Sequence, residues 1–204
     1  KTFEVKADNV MDQWIVSYFN QTHQTVTSSL EKYDMFTSSR VIREFVTDLS
    51  QWYVRRSRDG LKENAQTRAV LRSVLNNFAV MIAPFIPFTA EWLFNETGGE
   101  GSVHLIKWNT ETLSVDNELL KNMDETRKLV SIALEARQKA GVKVRQPLQK
   151  LETWSLRLEG EYVEILKDEL NVKEVEFNDK IEKGQVVWDT TMTLELKAEG
   201  NIRE

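Results

Sequence analysis

From Met11 to Tyr33 the apolar residues Met11, Trp14, Ile15, Tyr18, Val26, Leu30 and Tyr33 recur close to the helical period of about 3.6, opposite a polar face. This predicts a long first helix, which Asp8 is placed to cap. A second stripe, Val41, Ile42, Phe45, Val46, Leu49, Trp52 and Tyr53, predicts a helix capped by Thr37 and ended by the turn-forming pair Asp59-Gly60. A third runs through Val70, Leu71, Val74, Leu75, Phe78, Met81 and Ile82 and then meets Pro84 and Pro87. Proline removes a backbone donor and clashes with the preceding turn, so this helix must end or kink there. Phe88 to Asn95 resumes as a short helix, and Thr97-Gly98-Gly99-Glu100-Gly101 reads as a loop. A fifth helix is expected from about Asp116 to Ala140, stopped by Gly141.

After Gly141 the periodicity changes. Leu151 to Leu156 alternates as a strand does, Glu161 to Leu170 looks helical, Val172 to Phe177 looks extended, and Val186 to Leu196 is a last strand candidate. The expected architecture is mainly α, with a helical bundle over residues 1–140 followed by a small α+β domain over 141–204.

Composition narrows what such a protein can do. The 204 residues, 41% hydrophobic and 29% charged, suit a globular chain with a real core. No apolar run approaches the ~20 residues that span a bilayer, so no membrane association is expected. The first ten residues have no apolar middle region, and nothing in them argues for export. Zero cysteines exclude disulfides, thiol catalysis and cysteine-bound zinc, in keeping with a cytoplasmic protein.

Charge changes the picture more. The net charge is -5, yet residues 40–72 hold eight Lys and Arg against four Asp and Glu, whereas residues 141–204 hold ten against fourteen. A basic island on an acidic chain matters because a polyanion responds to local potential. Its densest part is Trp52-Tyr53-Val54-Arg55-Arg56-Ser57-Arg58-Asp59. Arginines near a helix C-terminus gain ~0.3–1 kcal/mol from the helix dipole and need no further role. Their planar forks also match phosphate oxygens. On one continuous helix Arg55 and Arg58 share a face and Arg56 points elsewhere, an arrangement that lines a rim rather than gripping one buried acid. Trp52 and Tyr53 diverge on a helix, so at most one is expected to be fully in the core, with base stacking a lesser option.

The remaining chemistry is sparse. His23 and His104 are the only histidines, have no HExxH spacing, and read as solvated or structurally bonded. Asp168 and Glu169 point apart on a helix and read as surface. No catalytic constellation and no metal site is expected. Lys143, Arg145 and Gln146 lie between the Gly141 stop and Pro147, which biases Gln146 to extended backbone. In an extended segment Lys143 and Arg145 project from one side, either as a solvated linker or toward a ligand.

Six blocks in order carry a family resemblance: Asn9-Val10-Met11-Asp12-Gln13-Trp14-Ile15, the Trp52–Asp59 stretch, Ala83-Pro84-Phe85-Ile86-Pro87-Phe88-Thr89-Ala90-Glu91, Ser102-Val103-His104-Leu105 with Trp108, Gly141-Val142-Lys143-Val144-Arg145-Gln146-Pro147-Leu148, and Asp168-Glu169-Leu170-Asn171-Val172-Lys173. Together they resemble the C-terminal third of the isoleucyl-tRNA synthetases. Valyl, leucyl and methionyl enzymes share the helical anticodon-binding architecture, but the VRQPL and DELNVK stretches are more similar to the isoleucyl family.

The resemblance implies a class I synthetase anticodon-binding helical bundle with a small α+β domain. Its partner would be the anticodon stem-loop of isoleucine tRNA, with Arg55, Arg56 and Arg58 on phosphates and Lys143, Arg145 and Gln146 near the anticodon loop. It implies further that the chain works beside the catalytic domain of a longer, monomeric ligase that uses ATP and Mg. The HIGH-like and KMSKS-like signatures of adenylate formation do not occur in this sequence, nor does a cysteine for the zinc found in some relatives. This segment is therefore expected to need no cofactor and to be inactive alone. The competing expectation is a non-catalytic helical scaffold for protein partners, which would bind through an apolar stripe and respond little to salt.

Overall fold

In a computed structural model, which describes residues 7–110, 113–154 and 158–189, α1 spans Val10–Glu31 and is capped by Asn9 rather than Asp8. The Asn9 side chain accepts from the Asp12 N–H at 2.8 Å, satisfying one of the donors a helix start leaves open. α1 ends before Tyr33, which adopts a left-handed backbone (φ 58) and is 92% exposed rather than continuing the apolar stripe. α2 (Met35–Asp48) is capped by Asp34, whose carboxylate accepts from the Thr37 N–H at 2.9 Å, so Thr37 lies inside the helix it was expected to cap.

α2 runs into a π-helical turn, Leu49–Val54. A turn closing i→i+5 bonds rotates less per residue than an α-helix, so neighbouring side chains diverge less. Trp52 and Tyr53 are consequently both buried, where an unbroken α-helix was expected to bury one. The chain then breaks at Ser57 and re-forms as α3 (Arg58–Glu63), which contains Gly60 instead of ending there. α4 (Ala65–Ile82) stops ahead of Pro84, and α5 (Pro87–Glu96) begins with Pro87 at its first position, where a missing N–H costs nothing. A single 3-10 turn, Val103–Leu105, follows the glycine loop.

Phe45 of α2 is the aromatic hub of this bundle. Its ring lies 5.5 Å from Tyr18, 5.7 Å from Phe19 and 5.4 Å from Phe78, joining α1, α2 and α4. Each such pair contributes ~0.5–1.5 kcal/mol beyond the area it buries.

α6 (Asn117–Lys139) begins where Asp116 accepts from the Leu119 N–H, and stops at Gly141, whose φ of 70 suits a residue without a side chain. Strand β1 (Leu148–Thr153) is followed by α7 (Glu161–Leu170), β2 (Val172–Phe177) and β3 (Val186–Asp189). β1 is central: β2 pairs with it in parallel through the α7 crossover and β3 pairs antiparallel. Leu151 meets Val175 on one side and Trp188 on the other. β1 starts three residues before the alternation that revealed it; residues 155–156 and 190–196 of the expected strands lie outside the described residues.

The chain is mainly α, with seven α-helices and three strands among the described residues. It divides into two compact units, Lys1–Leu120 and Lys121–Glu204.

Candidate nucleic-acid interface

The first candidate surface is anchored by a buried carboxylate. Asp12 is fully buried and accepts from Tyr53 Oη at 2.6 Å, Thr67 Oγ1 at 3.0 Å and Asn9 Nδ2 at 2.7 Å. Burying a carboxylate is tolerated only when it is hydrogen-bonded this fully. Burial, reinforced by the hydrogen bond to Asp12 and its charge, pushes the Tyr53 phenol far above the ordinary tyrosine range. The network ties α1, the π turn and α4 together, and so fixes where the chain leaves the π turn.

What leaves it is the arginine group. Arg55 is exposed, its Nε donating to the Gln51 carbonyl at 2.9 Å and its guanidinium 5.8 Å from the Trp52 ring centroid. Arg56 is half-buried with its guanidinium 5.9 Å from the same ring. Arg55 and Arg56 thus share one aromatic support, a contact of ~0.5–1 kcal/mol each at such sites. Arg58 is exposed on the next helix, beyond the break at Ser57, so the expected pairing of Arg55 and Arg58 on one continuous face does not form. Trp52 packs in the core and orients arginines.

The second candidate surface is the 143–146 segment. It is a turn rather than an extended strand, closed by the Gln146 N–H donating to the Lys143 carbonyl at 3.0 Å. Two side chains gather its carbonyls and so bend it. Arg137 of α6, fully buried, donates to the carbonyls of Lys143, Gln146 and Leu170. Asn171, left-handed at the end of α7, donates from Nδ2 to the carbonyls of Val144 and Arg145 at 3.1 and 3.0 Å. The Arg137 guanidinium also lies 5.4 Å from the Trp188 ring, and burial lowers its pKa. Lys143 and Arg145 remain exposed and Gln146 half-buried on a backbone held from beneath. Arg137 escaped the sequence reading because it sat among charged helix positions; its one signal was its place on the apolar side, four residues after Ala133.

Elsewhere the chemistry is structural. His23 is buried, not solvated, stacked 5.3 Å from Trp108, and burial lowers its pKa. Trp108 Nε1 donates to Thr27 Oγ1 at 3.0 Å. On the sheet, Lys150 bridges Glu176 at 2.7 Å and Glu152 at 2.9 Å, which raises the lysine pKa and lowers that of Glu152. Among the described residues no group of three or more His, Asp or Glu side chains is placed to hold a metal ion, and no helix is long and apolar enough to cross a membrane.

The model of the anticodon-binding domain of tRNA ligases matches residues 12–153, more than half of the sequence. The chain belongs to this family. Among the relatives of this anticodon-binding domain, the isoleucine–tRNA ligase of Clostridium kluyveri is 36% identical over 191 residues, covering 87% of the chain and 18% of the relative. That of Clostridium novyi is 36% identical over 190 residues, with the same shares. That of Thermus thermophilus is 37% identical over 210 residues, covering 93% and 20%. The anticodon-binding domain described here thus spans about a fifth of the length of the curated relatives it matches. The matched region reaches from Asp12, the buried anchor, to Thr153 at the end of β1, and so includes both candidate surfaces.

Proposed function

We propose that this chain is the anticodon-binding and docking module of an isoleucine–tRNA ligase acting in the cytoplasm, and that its partner is the anticodon stem-loop of isoleucine tRNA. The observation that carries this reading is the family match over residues 12–153 together with relatives named as isoleucine–tRNA ligases. Arg55, Arg56 and Arg58 contact backbone phosphates, which fix register without reading sequence. Lys143, Arg145 and Gln146, presented on the turn clamped by Arg137 and Asn171, contact unpaired bases by their edges. A rigid backbone beneath these side chains suits that task, because little order has to be gained on binding.

Under this reading the ligase's ATP- and Mg-dependent activation of isoleucine belongs to its catalytic domain, and this module contributes orientation of the tRNA. Exposed apolar side chains at Ile86, Phe88, Trp92 and Leu105 suit a protein neighbour, for which we propose that catalytic domain in one monomeric chain. They equally favour the scaffold alternative. The deciding experiment titrates the protein with isoleucine tRNA and with a tRNA of different anticodon at two salt concentrations. Tighter binding to isoleucine tRNA that weakens steeply with salt supports the module; salt-independent binding or none refutes it.

A further inference from the structure

The outward face of α4 carries cations that differ from the ion-paired ones of the surface. Arg40, Lys62, Lys128, Lys139, Lys150 and Lys167 each pair with a carboxylate within 4.0 Å. α4 carries Arg68 and Arg72 and no Asp or Glu in its eighteen residues. Arg68 Nη1 donates only to carbonyls, those of Leu61 at 3.2 Å and Lys62 at 2.8 Å. Arg72 is exposed and makes no ion pair among the described residues. On a chain of net charge -5, two cations that make no ion pair among the described residues keep a local positive potential.

Shape adds to charge. Arg68, Arg72, Ala69, Ser73 and Asn76, with Thr97 of the turn after α5, line a concavity of about 500 Å³, within the usual range of ligand clefts. Ala65, Ala69 and Ser73, one turn apart, keep its floor low, and Arg68 and Arg72 form the adjoining row. Asn76 is held in place by donating from Nδ2 to Thr97 Oγ1 at 3.0 Å. Arg68 is likewise held, by the α3 carbonyls, so the cleft is ordered on both sides of Arg72.

We infer that this α4 cleft is a further phosphate-binding surface, which seats a stretch of RNA backbone between the Arg68–Arg72 row and the small-residue floor. The inference rests on the RNA-binding reading above and adds residues to it. The ligand class follows from the lining: planar cationic forks match phosphodiester oxygens, amide and hydroxyl groups complete the donors, and no carboxylate repels them. These contacts read no sequence, so they strengthen all RNA binding alike.

The test uses the whole chain and an isoleucine tRNA transcript, measuring affinity from about 0.05 to about 0.3 M salt, a range over which counterion release is resolved. A cation that meets a phosphate contributes roughly 0.7–0.9 to the slope of log affinity against log salt, so Arg72→Gln is expected to lose that much slope and about five- to eightfold in affinity near 0.1 M salt. Arg72→Lys is expected to restore the slope, and neither variant to change the preference between anticodons. Arg68→Gln also removes the α3 contacts, so Arg72, which makes none, is the deciding position. Wild-type protein that binds with a steep slope while Arg72→Gln keeps that slope overturns the α4 cleft and leaves the module reading standing. Wild-type protein with no salt-dependent RNA binding overturns the module reading and the cleft with it.

Discussion

Replacing Arg137 with methionine, a side chain of similar length and no donors, isolates what the buried guanidinium does. Three carbonyls lose the Arg137 donor at once, those of Leu170, Lys143 and Gln146, of which Lys143 keeps the Gln146 N–H. Leu170 is buried, and a stranded buried acceptor costs about 1–3 kcal/mol. Lys143 is exposed and Gln146 half-buried, so their carbonyls recover water and add less. Losing the cation over Trp188 adds about 1 kcal/mol, while removing a desolvated charge returns part of the total. The sum is a destabilisation of about 2–4 kcal/mol, which at a urea dependence of ~1–3 kcal/mol per molar lowers the midpoint by about 1–2 M. The assay is urea unfolding of the whole chain followed by hydrogen exchange in peptides covering 141–148 and α7. Exchange should rise most in the 143–146 turn, and Arg137→Lys, which keeps the charge but not the fork, should fall between. If the turn reads bases, Arg137→Met should also narrow the gap between cognate and non-cognate tRNA while leaving the salt slope intact, since Lys143 and Arg145 keep their charges. An unchanged midpoint with unchanged exchange across 141–148 would show that the turn holds itself, and would refute the clamp.

Of the four tyrosines, Tyr53 should not ionise in the folded protein between pH 10 and 12, so Tyr53→Phe should leave the phenolate absorbance change in that window unaltered; a drop of one tyrosine's worth would contradict its burial against Asp12. The unfolded chain does ionise that phenol, so the stability it confers is complete below about pH 10 and erodes above it by up to about 1.4 kcal/mol per pH unit. His23 has the opposite sense: with its folded pKa lowered, its contribution is complete above about pH 6.5 and is lost as the unfolded chain takes up a proton below that. His23→Phe should therefore shrink the fall in melting temperature between pH 7.5 and 5.5, and an equal fall in both proteins would sink the assignment. Arg55→Gln, Arg56→Gln and Arg58→Gln should each lower the salt slope of tRNA binding by roughly 0.7–0.9 without altering anticodon preference, with melting curves to check that Trp52 stays packed; flat slopes in all three would remove the phosphate role.

The apolar periodicity located α1, α4 and α6 because each presents one face to a core, and a face repeats in sequence. Proline and glycine marked the stops at Ile82 and Lys139 because their backbone restrictions act locally. The concentration of arginine at residues 55–58 was equally legible, being composition. What tertiary structure decided were the points where distant residues meet. The π turn at Leu49–Val54 exists in the context of Tyr53 reaching Asp12, forty-one positions away, and no local preference announces such a partner. It brought Arg55 and Arg56 onto one tryptophan and separated them from Arg58. The 143–146 segment folded as a turn because Arg137 and Asn171 collect its carbonyls, whereas its sequence carries only the extended bias that Pro147 imposes. A buried charge is invisible to a hydrophobic pattern, since the pattern scores arginine as polar and only the arrangement of carbonyls around it makes its burial tolerable.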